Sequence, residues 1–169
     1  MPDKENYQRR RVRYDSLDEF RLDVDFFAQH AYVTVGNWSY PQILTHLYRV
    51  MNASFDGFPF MMPWPVRFMA RLFRKPVFHF GFPSGFKMPR QAKPFLPEDA
   101  EDLPTAVEKM HDAIHRLQDH VPNKPHAVFG HMDYDDWVRC HLRHAELHMS
   151  FVVPLTGSDA KLGKDDANE

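Results

Sequence analysis

The sequence predicts an all-α protein, a four-helix bundle with a long Pro/Phe-rich insert at 57–97 between its second and third helices. Four separated stretches carry apolar residues at the three- and four-residue spacing of a bundle helix. The insert holds eight of the fourteen prolines, nine of the fifteen phenylalanines and no Asp or Glu. A length of 169 residues, with 43% hydrophobic and 26% charged residues, fits one globular domain with a sizeable core.

Composition limits the classes of function. The formal net charge of -2 gives no global argument for nucleic acid as a partner. Cys140 is the single cysteine, which excludes an intramolecular disulfide and suits a reducing compartment. The first residues lack the apolar run of a signal peptide, and no stretch approaches the ~18 apolar residues of a membrane span. We therefore expect a cytoplasmic protein without a transmembrane segment.

The first predicted helix follows a basic segment, residues 1–14, which we interpret as a flexible, solvated arm; a phosphate-binding role is the alternative. Ser16 and Glu19 form a capping box, in which the hydroxyl accepts from an orphan amide and the carboxylate reaches back. The bundle domain is expected over 15–156. The apolar positions that follow keep helical spacing: Leu17, Phe20, Val24, Phe27 and Ala31.

A second helix should start near Tyr40, because Ser39 is a good N-cap and Pro41 is tolerated only in a first turn. Its apolar side carries Ile43, Leu44, Leu47, Val50 and Met51. His46 falls on the boundary between this side and the polar one.

The insert is too aromatic for a linker. One short helix is expected in it, from about Val66 to Phe73, and ordered coil elsewhere. We interpret the segment as a packing layer across one end of the bundle. The alternatives are a lid whose cationic side chains, Arg67 and Arg71 among them, meet an anionic substrate, or an amphipathic segment on a membrane surface.

The third helix is predicted from Pro104 to about His120. His111 and His115 lie on its flank, each one residue past the apolar stripe, and are expected to be solvated. The fourth helix should begin after the cap Asp133 and run to Val153. Residues 157–169 are polar and rich in Gly, Asp and Lys, and we expect a disordered tail.

The fourth helix places three histidines along its apolar face, His141, His144 and His148, beside Trp137. Arg139, Arg143, Glu146 and Ser150 fall on the opposite face, which is expected to be polar. A buried imidazole must find a partner for each ring nitrogen, so three in register need a common reason. Two of them are separated by one turn, the spacing of a metal-binding pair. A network of hydrogen bonds in the core is the alternative.

Two stretches are informative together: Trp38-Ser39 followed by Ile43–Leu47, and later His144–His148. They resemble the signature motifs of the DinB/YfiT-like superfamily of metalloenzymes. Three further stretches look like a branch of it described as a domain of unknown function: Asn52–Phe60, Gly85–Lys87 and His141–Ser150. The resemblance covers residues 10–153. It implies the bundle fold and one divalent ion on His46, His144 and His148. Met149-Ser150 departs from the Arg-Gly-Gln of many relatives.

What the resemblance implies about activity is a metal-dependent transfer of a low-molecular-weight thiol, because superfamily relatives include thiol S-transferases. His-rich sites suit zinc, nickel or iron, and three ligands leave positions open for a substrate. The anionic thiol would meet the insert's cations. Hydrolysis with His141 as catalytic general base is an alternative, as is a metal-binding or ligand-binding bundle without activity. The aromatic insert leaves a homodimer open. The expected substrate-binding residues are Trp38, Asn52, Arg67, Arg71 and Trp137.

Overall fold

The computed structural model describes residues 7–82 and 90–155. Its six α-helices are α1 (Leu17–Gln29), α2 (Tyr40–Asp56), α3 (Trp64–Leu72), α4 (Arg74–Phe80), α5 (Leu103–Asp119) and α6 (Tyr134–Met149). A 3-10 helix spans Arg90–Phe95, and two short strands, β1 (Tyr32–Thr34) and β2 (Val152–Pro154), pair antiparallel. The mainly helical character predicted from the sequence is confirmed. None of the helices in this part of the chain is long and apolar enough to cross a membrane.

Four helices, α1, α2, α5 and α6, enclose the main hydrophobic core. α1 and α2 each pack against both α5 and α6, as expected when every helix carries one apolar stripe. The largest fully buried apolar side chains of this core are Tyr40, Phe20, Phe27, Ile43, Leu44, Met110, Ile114, Leu117 and Met149. Burial of these stripes against one another holds α2, which carries His46, and α6, which carries His144 and His148, side by side.

Side-chain caps fix where the four core helices begin. Ser16, Ser39 and Asp133 accept hydrogen bonds from the third backbone amide of α1, α2 and α6, as predicted. Ser39 also forms a full capping box with Gln42. Asp102 caps α5 in the same way. Local sequence therefore determines these helix starts.

The ends of two core helices differ from the prediction. The helix predicted to run to Val153 ends at Met149, and the chain continues as β2, which pairs with β1. A β-branched pair followed by Pro154 favours extended backbone, since the residue before a proline avoids the helical region. α1 likewise ends at Gln29, so Ala31 lies outside it and is exposed.

The insert contains more helix than predicted. Where coil was expected after Phe73, residues Arg74–Phe80 form α4, with Pro76 tolerated in its first turn. α4 packs on α6, and its Phe78 is buried in a cluster with Phe129 and Cys140. The 3-10 helix packs on α2. These parts of the insert form a packing layer.

The amino-terminal segment is packed in its described part. Arg9 donates to the Ser150 hydroxyl at 2.7 Å, and Arg10 pairs with the Asp23 carboxylate. Tyr14 is 4% exposed. Part of the predicted arm is thus held against α1 and the end of α6, while its side chains Gln8, Arg9, Arg11 and Arg13 are exposed. Residues 1–6 and the predicted tail lie outside the described residues, and the division into arm, domain and tail stays a prediction.

This segment covers a buried ion pair that the sequence analysis placed on the polar face of α6. The Arg143 Nη2 atom lies 3.1 Å from Glu146 Oε1 and donates to the Tyr14 carbonyl at 2.6 Å. The Tyr14 amide donates to Glu146 Oε1 at 2.7 Å. The two charged side chains are only 4% and 9% exposed. Burial raises the pKa of Glu146, and the Tyr14 amide opposes that rise.

We expect Glu146→Ala to destabilise the protein by about 3 kcal/mol or more, because removing one partner leaves the Arg143 charge buried and unpaired. Urea unfolding measures the loss. Glu108→Ala is the matched control, since Glu108 is an exposed helical glutamate, and its effect should stay within about 0.5 kcal/mol. Equal stability of the two variants would show that the buried pair contributes nothing.

Candidate metal centre

A pocket of about 800 Å³ opens between α2, α6 and the insert. Its walls are largely apolar, and none of its described lining residues is an Asp, Glu, Lys or Arg. The lining residues that carry a side-chain nitrogen, oxygen or sulfur are Asn37, Trp38, His46, Met62, His126, Cys140, His141, His144 and His148. Five imidazoles in an otherwise apolar pocket are therefore its main chemical feature.

Three of these imidazoles converge from two helices. α2 supplies His46, and α6 supplies His144 and His148 from consecutive turns. The His144 Nε2 atom lies 3.1 Å from His46 Nε2 and 3.0 Å from His148 Nε2. One ligand atom from each residue lies within 4.8 Å of the others, so the group could hold a metal ion.

The backbone of the insert fixes the tautomer of His46. Its Nδ1 atom lies 2.8 Å from the Phe95 carbonyl oxygen, which can only accept, so Nδ1 carries the proton and donates. Burial lowers the pKa of His46 to about 4, and the ring is neutral at pH 7. Its Nε2 atom therefore presents a lone pair towards His144.

The other two imidazoles are also neutral. Burial lowers the pKa of His148 to about 3 and holds that of His144 well below its usual range; nearby imidazoles lower both further. A neutral imidazole has one N–H, so protons alone cannot satisfy two contacts at His144 Nε2. An ion ~2.1 Å from two nitrogens separates them by ~3.0 Å in octahedral and ~3.4 Å in tetrahedral geometry. The observed contacts fit such an ion.

Trp38 lies beside these ligands, in the loop before α2. Its indole stacks on the His148 ring with centroids 5.4 Å apart and lies 5.0 Å from the His46 ring. Such contacts restrict ring rotation and hold the ligand nitrogens in place. The predicted substrate-binding residue Trp38 thus lines the pocket next to the three histidines.

His141, the predicted general base, lines the same pocket and is 3% exposed. Its ring stacks on Trp137 with centroids 5.4 Å apart, and its buried Nε2 atom has no hydrogen-bond partner among the described residues. Burial lowers the pKa of His141 to about 3, so it is a neutral acceptor or donor at pH 7. Trp137, predicted to bind substrate, is fully buried behind it and is not a lining residue.

Three other predicted substrate-binding residues do not line the pocket. Asn52 faces α5, where its Oδ1 atom accepts from Arg116 at 2.9 Å. Arg71 is exposed on α3, and Arg67 is partly buried there with its Nε atom unpartnered. The structure therefore brings His141 and Trp38 to the three histidines and leaves these polar residues elsewhere.

His126 is a lining residue that the sequence analysis did not single out. It lies in the loop before α6, and its Nδ1 atom accepts from the amides of Val128 at 3.0 Å and Phe129 at 3.1 Å. The apolar run that follows it was the available signal of burial. Cys140 also lines the pocket, but burial raises the pKa of its thiol, so it stays protonated and is no nucleophile at pH 7.

Fold and site together define a mainly helical protein with a three-histidine group able to hold a metal ion. Residues 6–155 match the model of the family described as "Protein of unknown function (DUF1569)", and the chain belongs to this family. No curated protein and no solved structure matches it significantly.

We expect protein purified without a histidine tag to carry close to one equivalent of a divalent ion, measured by elemental analysis. His144→Ala should lose it, because both short nitrogen contacts involve this side chain. His115→Ala is the control, since His115 is an exposed histidine on α5, and it should retain the ion. Equal metal content in the two variants would mean that the ion is bound elsewhere.

Stability should fall with acid because of the buried neutral histidines. The pKa of His126 and of His141 is about 3 in the folded protein and ~6.5 in the unfolded chain. Below pH ~6.5 the unfolded state binds more protons, so each group contributes stability that is complete above that pH and is lost at ~1.4 kcal/mol per pH unit as pH falls.

His141→Phe should reduce the slope of the free energy of unfolding against pH between pH ~5 and ~6. The expected reduction corresponds to about one proton, or ~1.4 kcal/mol per pH unit. Urea unfolding of chelator-treated protein at several pH values measures this slope. His115→Phe, the same substitution at an exposed position of α5, is the matched control and is measured in the same way. An unchanged slope in His141→Phe would contradict a neutral, buried His141.

Proposed function

We propose that this protein is a divalent-metal-dependent enzyme, a DinB-like four-helix bundle that transfers a low-molecular-weight thiol to an uncharged, apolar substrate. The observation that carries the proposal is the convergence of three neutral imidazoles at one wall of the apolar pocket. Zinc, nickel and iron all suit such a donor set. When bound, the ion lowers the pKa of a thiol or water bound to it.

The residues around the three histidines support catalysis rather than a closed structural site. Structural zinc sites have four protein ligands, whereas three ligands beside a cavity leave room for a reactant. The Phe95 carbonyl orients His46, and the Trp38 indole holds His148. The largely apolar walls lower the local dielectric, which strengthens electrostatic effects on any group bound there.

The pocket lining also favours a particular substrate. A charged group placed among the described lining residues would meet no counter-ion, and burying an unpaired charge is costly. The reacting electrophile should therefore be uncharged. The carboxylates of an anionic thiol would then lie outside the described lining, while the thiol end reaches the three histidines.

Hydrolysis is the second candidate function. The observation that favours it is His141, a pocket-lining residue one turn from His144 whose Nε2 atom has no partner among the described residues. A neutral imidazole can accept a hydrogen bond from a reacting water and orient it; because its pKa is low, general-base catalysis would also require a bound ion to acidify that water.

The test compares chelated protein with protein reloaded with zinc, nickel or iron. Loss of free thiol is followed with uncharged epoxides or alkyl halides as acceptors, and hydrolysis is followed with neutral esters. Thiol transfer should require the ion and vanish in His144→Ala, with His115→Ala as control. A hydrolase should instead consume esters and lose ~10²-fold or more in His141→Gln.

No turnover of either substrate class by protein that holds one equivalent of ion would overturn the enzyme proposal. The bundle would then be a metal-binding or ligand-binding protein without catalytic activity.

A further inference from the structure

The imidazole of His126 is held in one tautomer and one orientation. Two backbone amides donate to its Nδ1 atom, so in the neutral ring the proton sits on Nε2. Burial keeps it neutral, with its pKa lowered to about 3. The ring packs between Phe58 and Phe129, each with its centroid 5.0 Å away. His126 is therefore a rigid N–H donor in the pocket wall.

The hydrogen-bonding capacity of the His141 side chain is only partly used. Its Nε2 atom is buried and has no partner among the described residues, although nearly all buried polar atoms in proteins have one. His141 is also a lining residue of the cavity, so a molecule bound there lies next to its ring.

The two imidazoles form a second polar locus, separate from the three candidate metal ligands. Their rings pack against the same indole, with His126 and His141 centroids 5.5 Å and 5.4 Å from Trp137. Both line the pocket, and His141 lies one turn before His144 on α6. A molecule bound at this locus can thus lie next to the metal ligands.

We propose that His126 and His141 form a subsite that binds the carbonyl or hydroxyl oxygen of an uncharged, otherwise apolar substrate. The oxygen accepts from the Nε2–H of His126. The same oxygen also forms a hydrogen bond with the Nε2 atom of His141. A carbonyl oxygen accepts this bond, whereas a hydroxyl can accept or donate it. The apolar body of the substrate fills the remaining pocket, between Val50, Phe60 and Phe82.

This inference rests on the proposed function only in assuming that the pocket receives a substrate. It does not require the ion, because neither histidine belongs to the three-histidine group. It excludes carboxylates and ammonium ions from the subsite, since two neutral imidazoles in an apolar wall give a buried charge no counter-ion.

Two substitutions separate recognition from folding. In His126→Asn the side-chain oxygen can still accept from the Val128 and Phe129 amides, but the Nε2 donor is lost. In His141→Phe the ring can still stack on Trp137, but the polar nitrogen is removed. His115→Phe, on the exposed face of α5, is the control.

The probes are cyclohexanone, cyclohexanol, methylcyclohexane and cyclohexanecarboxylate, which share one apolar ring and differ in the attached group. Affinity is measured by NMR from the histidine ring C–H signals, on chelated and on zinc-loaded protein. The ketone and the alcohol should bind about three- to tenfold more tightly than the hydrocarbon, the effect of one or two net hydrogen bonds. The carboxylate should bind no better than the hydrocarbon.

Both variants should lose the preference for the ketone and the alcohol, while the control keeps it. His126→Gln serves as a second variant at the loop position, because its side-chain amide reaches further and can restore a donor; it should retain more of the preference than His126→Asn. Equal binding of ketone and hydrocarbon by the parent protein, or a preference that survives in both variants, would overturn the inference. If the preference holds without metal-dependent turnover, the subsite stands and the proposed enzyme does not.

Discussion

One hydrogen bond, from the Nδ1–H of His46 to the Phe95 carbonyl, connects the insert to the candidate metal centre. Without a fixed acceptor the His46 ring could present either nitrogen to α6, and convergence with His144 would be accidental. Phe95 is itself anchored, because it packs in a small buried cluster with Val50 and Ala53 of α2. The insert therefore acts as the outer support of a ligand, a role that partners of metal-binding histidines commonly play.

The two α-helices of the insert, α3 and α4, differ in how deeply their apolar side chains are buried. α4 buries Phe78 and its Arg74 pairs with the buried Asp136 at 2.8 Å. α3 has no buried residue, and its Trp64, Phe68 and Leu72 repeat every four residues along one exposed side. The aromatic residues of the insert thus lie in two environments, because some belong to the buried packing layer and others are exposed on α3. A count of aromatic or cationic residues in the segment could not separate the two.

Helical periodicity was sufficient to predict the histidine face of α6, because side chains three and four residues apart must lie together. The assignment of His46 as a third metal ligand required the family resemblance. Its position on the edge of α2 does not by itself indicate which helix its side chain faces. The opposite face of α6 was misjudged for a physical reason. Arg143 and Glu146 are buried by Tyr14, which is more than a hundred residues away in the chain. The sequence of a helix does not reveal which distant segment covers it. His126 was missed similarly, because its burial depends on how a loop folds back over α6.

The absence of charged side chains from the described pocket lining bears on the chemistry of the three histidines. Neutral imidazoles donate electron pairs without cancelling charge, whereas a carboxylate ligand would offset part of the charge of a divalent ion. In an apolar cavity the remaining positive charge acts over a low effective dielectric. An ion held by these histidines would therefore favour an anion as additional ligand, and under the proposed function it would favour deprotonation of a thiol or water bound to it. Under the proposed function, the same argument favours a substrate that is otherwise neutral. The ion could compensate one negative atom beside the three histidines, whereas the described lining residues offer no counter-ion for a second charge.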